Sequence, residues 1–229
     1  ANKFGLMNLD EKLWVEPNYD YITPCGNGIY LLVKNNLYGF YNATEKCMAY
    51  NVEFNYKNGL EPSYYTNGKS FKLLKNEGVA LADANGKLLI NYNTYNDFFF
   101  AKCNVIRIQK GAKFGYVDRK LKAITPVEFE VANDYHNDQA IVVKNNNASI
   151  LDKNGKVIYV LKSGTISLFE NDYYLITQNE LLGIVNSSGA VLLNPEYDSI
   201  EKIYANILRC TKGKELFLYN ITTKVLKKL

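Results

Sequence analysis

Apolar residues two positions apart, with a freely varying residue between them, recur along the chain. The pairs are Tyr30 and Leu32, Phe71 and Leu73, Ile106 and Ile108, Ala140 and Val142, Tyr174 and Ile176, and Leu208 and Cys210. The residue between is Leu31, Lys72, Arg107, Ile141, Leu175 or Arg209. One strict face and one tolerant face predict a half-buried β-strand. Two positions beyond each pair stands Lys34, Lys75, Lys110, Lys144, Gln178 or Lys212, and then Asn35, Asn76, Gly111, Asn145, Asn179 or Gly213. Asn and Gly tolerate the positive φ that two-residue hairpin turns demand, so each strand is expected to fold back on a second one.

The second strand has its own signature. A small residue occupies its centre at Gly5, Gly39, Ala80, Gly115, Ser149 and Gly183, with Phe217 the exception in the last copy. Three positions on stands Asn8, Asn42, Asp83, Asp118, Asp152, Asn186 or Asn220, whose side chain can hydrogen-bond the backbone two residues later and close a turn. Lys follows at the seventh position in every copy except at Ala190. A third short strand is expected at Leu13 to Val15, Leu88 to Ile90, Val157 to Val160 and Val191 to Leu193. Successive small positions lie 34, 41, 35, 34, 34 and 34 residues apart, so one linker carries an insertion, between Asn51 and Gly68.

A period of this length means a repeat architecture. The expectation is a single all-β repeat domain over residues 1–229. It would hold six and a half three-stranded antiparallel meanders of ~34 residues, joined by linkers of about a dozen residues and stacked as an open, solenoid-like array. The small residue would make room for a neighbour packed across the strand, an aromatic ring being the obvious candidate. Phe217, in the last copy with no unit after it, favours the open stack mildly; a closed, propeller-like ring is the alternative.

Composition adds limits. The chain has 19 Tyr and 11 Phe, residues that suit pleated strands. Its net charge of +4 is too weak to argue for nucleic acid, and no apolar run is long enough for a membrane helix. It starts at Ala1 without a Met, which suggests removal of an upstream segment. Cys25, Cys47, Cys103 and Cys210 show no metal-binding spacing; Cys47 and Cys210 read as buried free thiols, and disulfides stay open.

The segments KFGLMNLDEK, LYGFYNATEK, KFGYVDRKLK and LLGIVNSSGA, with EPNYDYI and NPEYDSI after the third strand, resemble the WG-repeat proteins. The Trp of that family's name is replaced here by Phe4, Tyr38, Val79, Phe114, Ala148, Leu182 and Leu216. The resemblance implies a bacterial, often exported β-repeat protein without an established enzymatic role, and it supplies no functional residues.

Candidate chemistry is sparse. His136 lies between Asp134 and Asp138, but a polar loop explains all three better than a metal or acid–base site. Neither a catalytic residue nor a metal or cofactor is expected. The recurring Lys before the hairpin turn could form a cationic row for an anionic partner, although Lys at an exposed edge also serves solubility. Tyr-rich linkers (Tyr19, Tyr21, Tyr56, Tyr64, Tyr65, Tyr92, Tyr95 and Tyr197) could stack on sugars or dock a protein. Recurrence at Tyr19 and Tyr197 points instead to packing between repeats. Tyr64 and Tyr65 lie in the insertion, outside the period, and are the candidate ligand-binding residues. The function expected is non-catalytic binding of a protein or glycan by an exported, periplasmic or surface-associated module, with a structural spacer as the alternative.

Overall fold

The computed structural model describes residues 2–76, 78–100, 105–170 and 172–229. Strands β1 (Phe4–Met7) and β2 (Leu13–Tyr19) pair as a first small sheet. Strands β3 (Tyr21–Gly26), β4 (Ile29–Lys34), β5 (Leu37–Asn42) and β6 (Cys47–Asn55) follow as a four-stranded meander. The insertion folds into the short helix α1 (Pro62–Tyr65). Strands β7 (Ser70–Lys75), β8 (Gly78–Asp83) and β9 (Leu88–Ile90) form a three-stranded sheet, and β10 (Asp97–Phe100), β11 (Val105–Lys110) and β12 (Lys113–Asp118) another.

Three four-stranded meanders complete the chain. The first holds β13 (Val131–Ala132), β14 (Ala140–Lys144), β15 (Asn147–Leu151) and β16 (Val157–Lys162). The second holds β17 (Thr165–Glu170), β18 (Tyr173–Gln178), β19 (Leu181–Asn186) and β20 (Val191–Tyr197). The third holds β21 (Ser199–Tyr204), β22 (Ile207–Lys212), β23 (Glu215–Asn220) and β24 (Val225–Lys228). The protein is all-β, built of small antiparallel sheets, and among the described residues none closes into a barrel. Two compact units divide it: Ala1–Ala112 with Val117–Lys122, and Lys113–Tyr116 with Ala123–Leu229.

The complete meander has four strands where the sequence suggested three. The extra strand comes from the presumed linker. Asp20, Asn96, Glu130 and Asp198 explain why: each backbone N–H donates to a carbonyl of the next strand (Val33, Gln109, Val143 and Thr211, at 2.7–2.8 Å). Each side chain also accepts from a turn N–H fifteen residues on, at Asn35, Gly111, Asn145 and Gly213. The linker is thereby clasped to the hairpin and pairs with it.

Both predicted turns form. The β4–β5, β14–β15 and β18–β19 hairpins turn on residue pairs that both have positive φ: Asn35 and Asn36, Asn145 and Asn146, Asn179 and Glu180. The Asx side chain accepts from the N–H two residues on at six of the seven positions, and Asn8 accepts from the Lys12 N–H instead; Asp152 Oδ1, for example, accepts from the N–H groups of Asn154 and Lys156, both at 2.9 Å. Lys156 contributes its backbone there, which is why Ala190 serves equally at the same position.

The small residue at the strand centre faces backbone, not an aromatic ring. A Cβ on Gly39 would lie 2.6 Å from the carbonyl of Asn51; on Gly183, 2.5 Å from the Leu193 oxygen; on Gly5, 2.5 Å from the Val15 oxygen. At these three glycines the register shifts, because the next strand bulges over them. Pro17 and Pro195 ride on those bulges, where no ladder hydrogen bond is lost. Ser149 pairs regularly with Val160 and Phe217 with Lys228, so neither meets a bulge. Phe217 is therefore permitted by local register rather than by its place in the last copy.

Cores lie between neighbouring sheets within each unit. In the first unit Val15, Leu32 and Tyr41 are buried with Trp14 and Tyr19 packed against them. In the second, Ile150, Ile166, Ile176 and Val185 share one cluster, and Tyr197, Ile200, Leu208 and Cys210 share another. Buried Tyr needs a partner for its hydroxyl. Tyr38 donates to the Lys72 carbonyl (2.6 Å) and accepts from the Leu74 N–H (3.2 Å), one period along the chain.

Candidate functional site

The insertion lies over a strand position that most other repeats leave more open, Leu31 of β4 being the exception. Lys72 sits in β7 at the position whose residue varies between copies, and its equivalent Arg209 is exposed. Lys72 itself is fully buried, because α1 covers it. Its ammonium pairs with Asp97 of β10 at 2.8 Å and lies 3.4 Å from the centre of the Tyr64 ring. The Tyr64 hydroxyl donates to the second Asp97 oxygen at 2.9 Å, and the Lys57 ammonium lies 3.2 Å from that hydroxyl. Burial pulls Lys72 down to about 8, against the opposing pull of Asp97. Burial, followed by the Asp97 carboxylate, raises Tyr64 well above the usual phenol range. An ion pair with an aromatic cap thus staples the insertion to β7 and β10.

Tyr65 is fully buried, and its hydroxyl donates to the Lys57 carbonyl at 2.8 Å. Its ring meets Tyr38 at 4.6 Å and stacks on Tyr56 at 5.6 Å and 21°. The two tyrosines singled out from sequence are brought together, but as packing: Tyr65 offers no exposed platform, and Tyr64 is spent on Lys72 and Asp97.

Their work is to position other groups. A cavity of about 510 Å³ opens between the insertion and the start of β3. Tyr21, Tyr56, Asn36, Asn58, Asp20 and Glu61 line it. Burial raises the Tyr56 hydroxyl, helped by the nearby Tyr21 hydroxyl and Glu61 carboxylate, which places these three together. A second cavity of about 500 Å³ shares Tyr21, Glu61 and Pro62 with the first and runs on along β3. Both volumes fall in the roughly 300–1,000 Å³ range of ligand sites. Among the described residues no Lys or Arg lines either one. Tyr21 and Tyr56 were visible in sequence as Tyr-rich material. Asn36, Asn58 and Glu61 were not, since nothing in their local pattern separates them from ordinary turn residues.

Other candidates resolve differently. His136 exchanges backbone hydrogen bonds with Gln139 (2.8 and 2.9 Å) across Asn137 and Asp138, both at positive φ, so the segment is an exposed tight turn. Among the described residues no group of His, Cys, Asp and Glu could hold a metal. The recurring Lys side chains are largely paired: Lys75 with Glu53 (3.0 Å), Lys144 with Glu128 (2.7 Å) and Lys212 with Glu196 (2.6 Å). Cys25, Cys47 and Cys210 are free thiols. Cys210 is buried as expected, but Cys47 is exposed at the start of β6; Cys103 lies outside the described residues. Among the described residues no helix is long and apolar enough to cross a membrane.

The chain is therefore an all-β protein of tandem antiparallel meanders. The family model of the WG containing repeat matches it at residues 4–44 and 114–147, the stretches that hold Gly5, Gly39 and Gly115, a match consistent with a WG-repeat family member. No curated protein matches it. Among solved structures it is similar to Kluyveromyces lactis Hsv2 (12% identity, 86% of this chain and 72% of that one, TM-score 0.42). It is also similar to a eukaryotic initiation factor (13%, 88% and 59%, TM-score 0.44). A third similarity is to the dihydro-heme d1 dehydrogenase NirN in complex with DHE (10%, 100% and 58%, TM-score 0.43).

Proposed function

We propose that this protein is a non-catalytic binding module that recognises a protein or glycan partner at the cavity between the insertion and β3. The observation that carries the reading is that a segment without counterpart in the other repeats borders an open cleft of ligand size, lined by aromatic, amide, carboxylate and apolar groups. Loops held by a rigid scaffold are where binding residues collect. An exported, periplasmic or surface setting follows from the family resemblance alone. The paired Lys and Glu side chains favour a second reading, a structural spacer with an evenly polar surface. A retention screen of the purified chain against immobilised glycans and cell-envelope fractions separates the two. The binding module is retained, and a Tyr21→Ala/Asn58→Ala variant is released. No retention, or retention that these changes leave intact, turns the account to the spacer.

A further inference from the structure

The cavity's lining is selective about what it would hold, and on the reading that it is a recognition site we infer that its ligand is a saccharide chain of neutral or amine-bearing sugars. Three features converge. First, Tyr56 is locked from behind by the stacked, fully buried Tyr65. One face of its ring is taken, and its remaining surface borders the cavity at little further cost in entropy. A rigid aromatic face is what the C–H side of a sugar ring packs against. Second, Asn36 and Asn58 are exposed at the rim with Asp20 and Glu61. Planar amides and carboxylates supply paired donors and acceptors for vicinal hydroxyls. Val33, Leu60 and Pro62 add apolar surface, but the amides and carboxylates at the rim are exposed, whereas a protein hot spot would want a desolvated centre. Third, the two adjoining cavities share Tyr21, Glu61 and Pro62, a groove that suits a chain of rings.

Charge narrows the class. The Lys3 ammonium above all, and then the Asn35 N–H, hold the Asp20 carboxyl below its usual range, so it stays ionised at neutral pH. Asp20 is balanced by Lys3, but with the Glu61 carboxylate and no Lys or Arg in the lining among the described residues, uronic and sialic acids are disfavoured. An amino sugar gains from Glu61.

Calorimetric titration of the full chain with tetramers of glucose, N-acetylglucosamine and glucosamine, with polygalacturonate as the acidic control, tests this. At least one neutral or amino tetramer binds saturably. Tyr56→Ala weakens it about tenfold, and Tyr56→Phe leaves it nearly unchanged. Asn58→Ala, at an exposed position, weakens binding in a chain whose fold is not at risk. Silence of every neutral and amino saccharide overturns the inference, as does binding of polygalacturonate as tight as theirs. Under that silence, retention of an envelope protein that Tyr21→Ala/Asn58→Ala abolishes keeps the binding reading; without such retention, both fall.

Discussion

Lys72 carries its charge to a place water does not reach, and two neighbours make that tolerable. Asp97 supplies the countercharge and the Tyr64 ring caps the ammonium, while the like charge of Lys57, on the far side of the Tyr64 hydroxyl, works against it. Removing Lys72 alone strands the Asp97 carboxylate, so Lys72→Met should cost about 3 kcal/mol in urea unfolding. The pH dependence has a definite sign. The Lys72 ammonium is pulled from 10.5 to about 8 on folding, so between these values the unfolded chain binds more protons and stability rises with pH. Burial also lifts the Cys25 and Cys210 thiols from 9.0 to about 11, a contribution present below pH 9 and lost as pH climbs through 11. Wild type should therefore gain relative to Lys72→Met between pH 8 and 9; parallel profiles would sink this account. Lys72 was illegible in sequence because its own repeat position reads as solvent-facing. The residue that buries it comes from outside the period.

At the scale of elements, one bulge explains the repeat's most visible residue. Three residues of the next strand (β2, β6 or β20) oppose one glycine at Gly5, Gly39 and Gly183, and their backbone fills the space a Cβ would need. Gly183→Ala should then cost about 1–3 kcal/mol, the range for overpacking. Ser149→Ala, in regular register, should change stability by less than about 0.5 kcal/mol. Equal effects in urea denaturation would contradict the bulge. The period, the turns and the strand faces were all legible, because they rest on local chemistry: positive φ at Asn and Gly, and Asx side chains closing on the backbone. The added first strand of each meander was not, because its clasp spans fifteen residues. Asp20 and Asp198 were visible as a linker motif, but nothing local told that their carboxylates reach Asn35 and Gly213.

At the scale of the whole molecule, the recurring residues are consumed by folding, and the departure from the period builds the cavity. Tyr64 and Tyr65 hold the insertion down, while Tyr21, Tyr56 and Asn58 line the open cleft beside it. The insertion singled out in sequence does line a cavity, but Tyr64 and Tyr65 turn inward, for burial of a Tyr depends on what lies beneath it. A backbone-amide shift map of the full chain, taken at saturation with the tightest-binding neutral or amino tetramer, tests the central claim most directly. Shifts confined to residues 20–36 and 56–67 are the predicted result. Largest shifts along the Lys–Glu pairs at Lys144 and Lys212, or among the Asx turns, would contradict it.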